Sequence, residues 1–163
     1  MARDWTKFTR RITVNSSQRD IYEAWAVPAR IEAWFLRSAE YVAFDGKTRD
    51  GDEVVRTGDA YLWRWHGYLD DVSESGRVVE ANGKDRFVFT FTSDCIVAVD
   101  IREENGETVV ELTQSNIPED KDRGIYIDCG YGWAFYLGNL KSVLEGGVDL
   151  RNKNTSIKNV INS

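Results

Sequence analysis

The sequence predicts an α+β domain: a curved antiparallel sheet wrapped around a long C-terminal helix, with two short helices after the first strand. Three observations carry this. Asp59 to His66 places Tyr61, Trp63 and Trp65 at alternate positions. Arg86 to Thr92 does the same with Phe87, Phe89 and Phe91. Side chains in a strand alternate between faces, so each segment offers one aromatic face that needs cover. After Pro118 the period changes. Tyr126, Cys129, Gly130, Trp133, Tyr136, Leu137, Leu140, Val143 and Leu144 recur at three- and four-residue spacing, the mark of an amphipathic helix.

The elements follow in order. Phe8, Arg10, Ile12 and Val14 alternate with Thr9, Arg11 and Thr13, a first strand. Asn15-Ser16-Ser17 supplies N-cap side chains for a helix that carries Ile21, Ala24 and Trp25 on one face. Pro28 opens a second short helix holding Ile31, Trp34 and Phe35, because proline fits a first helical turn. A strand through Tyr41–Phe44 follows. The Gly- and Asp-rich stretch 45–59 reads as a loop with a short strand at Val54-Val55. Strands are expected over about 60–67, 76–81, 86–92 and 95–102, with Ser75-Gly76 read as punctuation. Glu104-Asn105-Gly106 is a hairpin turn into a last strand, Glu107 to Gln114. The long helix is expected from about residue 120 to 146, ended by Gly146-Gly147. Residues 1–151 read as one domain. Residues 152–163 read as a polar tail, partly disordered and dispensable for the fold.

Composition narrows the function. A chain of 163 residues buries a good core. A formal charge of −6 argues against nucleic acid and anionic membranes, which draw on a basic field. The absence of a long apolar run argues against a membrane span, and Met1-Ala2-Arg3-Asp4-Trp5 lacks the apolar core of a signal peptide, so a cytoplasmic location is expected. Cys95 and Cys129 are too few for a disulfide framework and read as small buried hydrophobes.

The order of elements and several segments resemble the START-like (SRPBCC) helix-grip superfamily, and within it the branch related to the activator of the ninety-kilodalton heat-shock-protein ATPase. The segments are Ile12-Thr13-Val14-Asn15, Tyr22-Glu23-Ala24-Trp25, Ile31-Glu32-Ala33-Trp34-Phe35, Gly130-Tyr131-Gly132-Trp133 and the run from Leu140 to Arg151. The resemblance covers roughly residues 8–151. It implies a helix-grip fold with a cavity between sheet and long helix. It does not imply one activity, because the fold hosts lipid binders, cyclases, co-chaperones and dehydratases.

Residues that carry chemistry are scarce. His66 is the only histidine, and its parity is opposite to that of Trp63 and Trp65, so it is expected to face away from the aromatic side and to be dispensable. The pairs Asp50/Asp52, Asp70/Asp71, Glu103/Glu104 and Glu119/Asp120 sit in turns or strand ends, a solvated setting rather than a catalytic one. One histidine and two distant cysteines make a poor zinc set. Gly130-Tyr131-Gly132 lacks the third glycine and the preceding strand of a dinucleotide fingerprint. We therefore expect no catalytic residue, metal or cofactor. The expected function is non-catalytic binding of a small hydrophobic or aromatic ligand between sheet and helix. The expected wall is Trp34, Trp63, Trp65, Phe89, Phe91, Gln114, Gly130 and Trp133. Gln114 shares parity with Val110 and Leu112 and would be an inward polar group. The glycines of the helix leave space for a ligand or allow close approach to the sheet. Two alternatives stand beside this reading. A co-chaperone-like protein interaction follows from the resemblance alone. A cyclase or hydrolase acting in the pocket would need acid–base groups. The expected state is a monomer or homodimer.

Overall fold

The computed structural model describes residues 2–163. Its elements are β1 (Phe8–Thr13), α1 (Gln18–Ala26), α2 (Pro28–Ile31), β2 (Ser38–Val42), β3 (Ala60–Arg64), β4 (Ser73–Ala81), β5 (Arg86–Phe91), β6 (Cys95–Glu104), β7 (Glu107–Ser115) and α3 (Gly124–Leu144). The strands form one seven-stranded sheet in the order β1-β7-β6-β5-β4-β3-β2. Every neighbouring pair is antiparallel. This is the helix-grip architecture, with α1 and α2 after the first strand and α3 against the concave side.

Local chemistry sets the boundaries. Ser17 caps α1, its Oγ accepting the Asp20 N–H at 3.0 Å. Asn105 and Gly106 have φ of +49° and +84°, the pair of positive angles that a two-residue hairpin between β6 and β7 requires. Val54 and Val55 are not a strand. Val55 is buried and its N–H donates to the Ala26 carbonyl at 2.7 Å, which ties the loop to the end of α1. The same loop is locked by a bidentate pair: Arg49 Nε and Nη2 donate to buried Asp59 at 2.9 and 3.0 Å.

Gly76 corrects the sequence reading most sharply. It does not punctuate strands but lies inside β4, directly opposite Tyr61 in the β3–β4 register. A Cβ there would stand 2.5 Å from Thr90 Oγ1 and 2.7 Å from Tyr61 Oη. The Tyr61 ring crosses β4 at this point, and its hydroxyl donates to the Thr90 carbonyl. A glycine in a strand covered by an aromatic neighbour is a packing device. β4 therefore begins three residues earlier than expected and brings Glu74 into the sheet.

The core is aromatic. Trp25, Trp34, Trp63, Tyr41, Phe35, Phe87 and Phe89 are fully buried. Trp34 Nε1 donates to the Ala24 carbonyl at 2.8 Å, and Trp63 Nε1 to the Tyr41 hydroxyl at 3.2 Å. Most large rings thus satisfy their polar atom while burying their area.

Beyond α3 the chain is held by polar side chains. Arg151, with a side chain only 3% exposed, pairs with Asp149 at 2.9 Å. It also donates to the carbonyls of Leu36 and Glu32, both at 3.0 Å. Buried Asn139 of α3 donates to the Trp34 carbonyl at 2.7 Å and accepts the Leu150 N–H at 2.8 Å. Residues 152–163 close into a loop through Asn152 N–H to the Asn162 carbonyl at 2.7 Å and Asn152 Nδ2 to Ser163 Oγ at 2.8 Å.

This clasp generates two linked predictions. Arg151→Ala should destabilise by about 3 kcal/mol, because it strands a partly buried carboxylate and two carbonyls. A chain ending at Lys153 keeps every clasp residue and should melt close to the full-length protein. Burial alone would raise the Asp149 pKa, but hydrogen bonds from the Arg151 side chain and backbone, Asn139 and Lys153 outweigh it and hold the carboxyl far below the ordinary 3.8. A depressed folded pKa stabilises above the unfolded value, and that contribution is lost as pH falls below it. Denaturant melts at stepped pH should show a decline starting below about pH 4, and Asp149→Asn should flatten it. An Arg151→Ala melt that matches wild type would remove the clasp from the account.

Candidate functional site

A cavity lies between the sheet and α3. Its volume is about 270 Å³, and it is lined by Phe35, Trp65, Glu74, Phe91, Thr92, Asp128, Cys129, Gly132, Trp133 and Tyr136. Five places in the chain build it. Phe35 stands in the turn after α2. Trp65 follows the last residue of β3, and Glu74 is the second residue of β4. Phe91 and Thr92 close β5. Asp128, Cys129, Gly132, Trp133 and Tyr136 share a stripe of α3 at three- and four-residue spacing.

The rings interlock. Phe35 is the hub, with centroids 5.8 Å from Trp65, 5.1 Å from Trp133 and 4.8 Å from Tyr136. Phe91 lies 5.4 Å from Trp133 and 6.5 Å from Trp65. Trp133 is fixed further by its Nε1, which donates to Gln114 Oε1 at 2.8 Å. Gln114 is completely buried on β7, beside the thiols of Cys95 and Cys129, and its Nε2 has no hydrogen-bond partner among the described residues.

The polar groups of the cavity are acidic or neutral. Burial raises the Glu74 pKa above the ordinary carboxylate value, and the Thr92 backbone N–H pulls part of that back. Burial pushes the Cys129 thiol up to about 11, with Gln114 working in the opposite direction. Burial likewise raises the Tyr136 phenol, so it stays protonated. No arginine, lysine or histidine lines the cavity.

The expected wall residues divide. Trp65, Phe91 and Trp133 do line the cavity. Trp34, Trp63 and Phe89 do not: they are packed solid in the core behind it. Trp63 stacks on Tyr61 with centroids 3.8 Å apart, and Trp34 stacks on Phe35 at 5.3 Å. Gln114 acts through Trp133 rather than at the surface. Gly130 faces the other way: a Cβ there would meet only the flexible end of the Arg10 side chain of β1, its Nη2 at 2.8 Å. Gly132 is the glycine at the cavity, and a Cβ there would have open space. Phe35, Glu74, Thr92, Asp128, Cys129, Gly132 and Tyr136 are additional lining residues. The 129-133-136 part of the stripe was readable from helical spacing, but Gly132 was not placed on it. Glu74 was hidden by the misplaced start of β4. His66 lies outside the cavity, its pKa lowered by burial and by Arg151 and Lys153.

Among the described residues, no three His, Cys, Asp or Glu side chains gather into a group able to hold a metal ion. No helix is long and apolar enough to cross a membrane.

Solved structures share this architecture. Protein SSP2350 from Staphylococcus saprophyticus aligns with a TM-score of 0.70 at 19% identity, covering 91% of this chain and 98% of that one. The Aha1 dimer from Colwellia psychrerythraea aligns at 0.67 and 18% identity, covering 86% and 97%. Protein CV1439 from Chromobacterium violaceum aligns at 0.63 and 18%, covering 86% and 98%. At such identities the likeness concerns the fold. Comparison with curated proteins gives no match. The family model described as activator of Hsp90 ATPase homolog 1-like protein matches residues 15–145, which takes in α1 through α3, and the chain belongs to that family.

Proposed function

We propose that this chain binds a small apolar aromatic molecule, without transforming it, in the cavity between sheet and α3. One observation carries the reading: a core packed with fully buried rings stops at a space of about 270 Å³ walled by five rings, Phe35 shared between the two. An enclosed apolar cavity of about 150 Å³ is enough to bind benzene, and the space here is larger but open to solvent on one side. Apolar walls with few polar groups are what small-molecule sites use. Binding is preferred to catalysis because Glu74 and Tyr136 form no hydrogen bond to another ionisable side chain, so no nucleophile–base pair is assembled.

The test is tryptophan fluorescence during titration with an alkylbenzene. Trp65 and Trp133 should report occupancy with a micromolar midpoint, roughly −8 kcal/mol. Gly132→Leu should abolish the response by filling the space. A Cβ there meets no neighbour, and replacing a mid-helix glycine favours the helix by ~1 kcal/mol, so the variant should stay folded. His66→Ala should bind as wild type does. A full response in Gly132→Leu would sink the assignment.

Cys129 offers a chemical probe. Thiolates, not thiols, are alkylated, and a pKa of about 11 leaves little thiolate at neutral pH. Iodoacetamide should therefore label it slowly at pH 7 and rapidly only above about pH 10. A saturating alkylbenzene should slow labelling at either pH. Fast labelling at pH 7 would mean that the thiol is not held in an apolar wall.

A second reading, protein interaction of the kind named in the family's description, is favoured by the outer face of α3. Ile127 and Tyr131 are exposed there one turn apart. Ile127→Asp with Tyr131→Asp should abolish stimulation of a heat-shock ATPase if this face is the contact, and should leave cavity binding intact. Light scattering would assign monomer or homodimer in the same samples.

A further inference from the structure

We infer that the ligand of this cavity is an organic cation, an ammonium group carried on an apolar or aromatic body. This rests on the reading that the cavity binds a ligand, and it deepens that reading by naming the ligand's charge.

The first argument is what surrounds the space. Five rings line the space, and a cation held over the face of an aromatic ring is attracted by the negative end of the ring quadrupole. Two carboxylates, Glu74 and Asp128, complete the lining, and no basic side chain does.

The second argument is how the chain treats several of its other shielded carboxylates, although half-buried Glu32 is satisfied by the Ala39 N–H alone. Buried Asp59 receives a bidentate arginine, Arg49. Asp149 receives Arg151 and Lys153. Asp100, on the sheet surface, receives Arg86 through both oxygens. Glu74 is half-buried, and among the described residues neither it nor Asp128 takes part in an ion pair. A partly desolvated carboxylate without a cationic partner is costly, and a bound ammonium would offset that cost. Its acidic neighbour on the rim and the overall charge of −6 repel anions and draw cations to the opening. A neutral aromatic gains the walls alone.

The experiment compares three probes of one shape at fixed ionic strength: benzyltrimethylammonium, its neutral carbon isostere neopentylbenzene, and the anion phenylmethanesulfonate. Titrations of the full-length protein are followed by tryptophan fluorescence. The cation should bind about tenfold more tightly than the isostere, and the anion should not bind. Glu74→Gln should bring the cation to within about threefold of the isostere while leaving the isostere unchanged. Should Glu74→Gln not fold, as judged by circular dichroism, Asp128→Asn on the exposed rim and Trp65→Leu in the wall provide the same contrast. Each should weaken the cation more than the isostere. A neutral isostere that binds as tightly as the cation, or a cation preference that survives all these variants, overturns the inference and leaves the cavity reading standing. If none of the three probes changes the fluorescence, both fall.

Discussion

The position of Phe35 is the constraint on which the rest of the site depends. It lies just past the end of α2, where a short helix leaves carbonyls without partners. Here those carbonyls are taken by side chains from far along the chain. Arg151 binds the carbonyls of Glu32 and Leu36, and Asn139 binds that of Trp34. Phe35 is thereby fixed from both sides, and its ring touches Trp65, Trp133 and Tyr136. A polar clasp at the end of the fold thus determines an apolar wall at its centre. The clasp is expensive in desolvation, so its value lies in geometry more than in net stability.

The cavity exists because two strands run out beneath a helix that continues past them. β3 ends at Arg64, so Trp65 leaves the ladder and is free to turn over the space. β5 ends at Phe91, and α3 passes above with Gly132 where a side chain would fill the gap. The register shift between Val78 and Glu80 adds twist to β4 and curls the sheet toward the helix. Deeper in, Trp63 and Phe89 meet at a centroid distance of 5.1 Å and leave no such gap. One aromatic stripe therefore does two jobs, solid core at one end and open wall at the other.

The division of labour along that stripe explains what the sequence could and could not disclose. Period-two alternation identified which rings face inward, and the change to helical period identified α3, because both signals are local. Neither signal distinguishes a ring that meets another ring from one that meets space. That distinction depends on where strands end relative to one another across the sheet, so Trp63 and Trp65 looked equivalent. Gly130 and Gly132 were likewise indistinguishable by spacing, and only the crossing of α3 over Arg10 assigns one to contact and the other to room. Gly76 was misread because a glycine covered by a cross-strand tyrosine has the same one-letter signature as a turn. Glu74 was lost with it. Arg151 was read as the end of the domain, whereas burial makes it a structural centre.

Rigidity connects these points to binding. Rings held edge-to-face by several neighbours have little freedom to collapse into a void, and a wall that cannot collapse keeps its space at a cost in stability. Natural cores fill such space unless something else occupies it. The wall here is made from the stiffest side chains the chain possesses, tied by Gln114 at Trp133 and by the clasp behind Phe35. A ligand meeting preformed walls loses its own freedom but imposes little ordering on the protein. The adjustable groups, Glu74 and Asp128, are the charged ones. In the proposed binding reading, a rigid apolar wall sets the size of the occupant, and these two carboxylates set its sign.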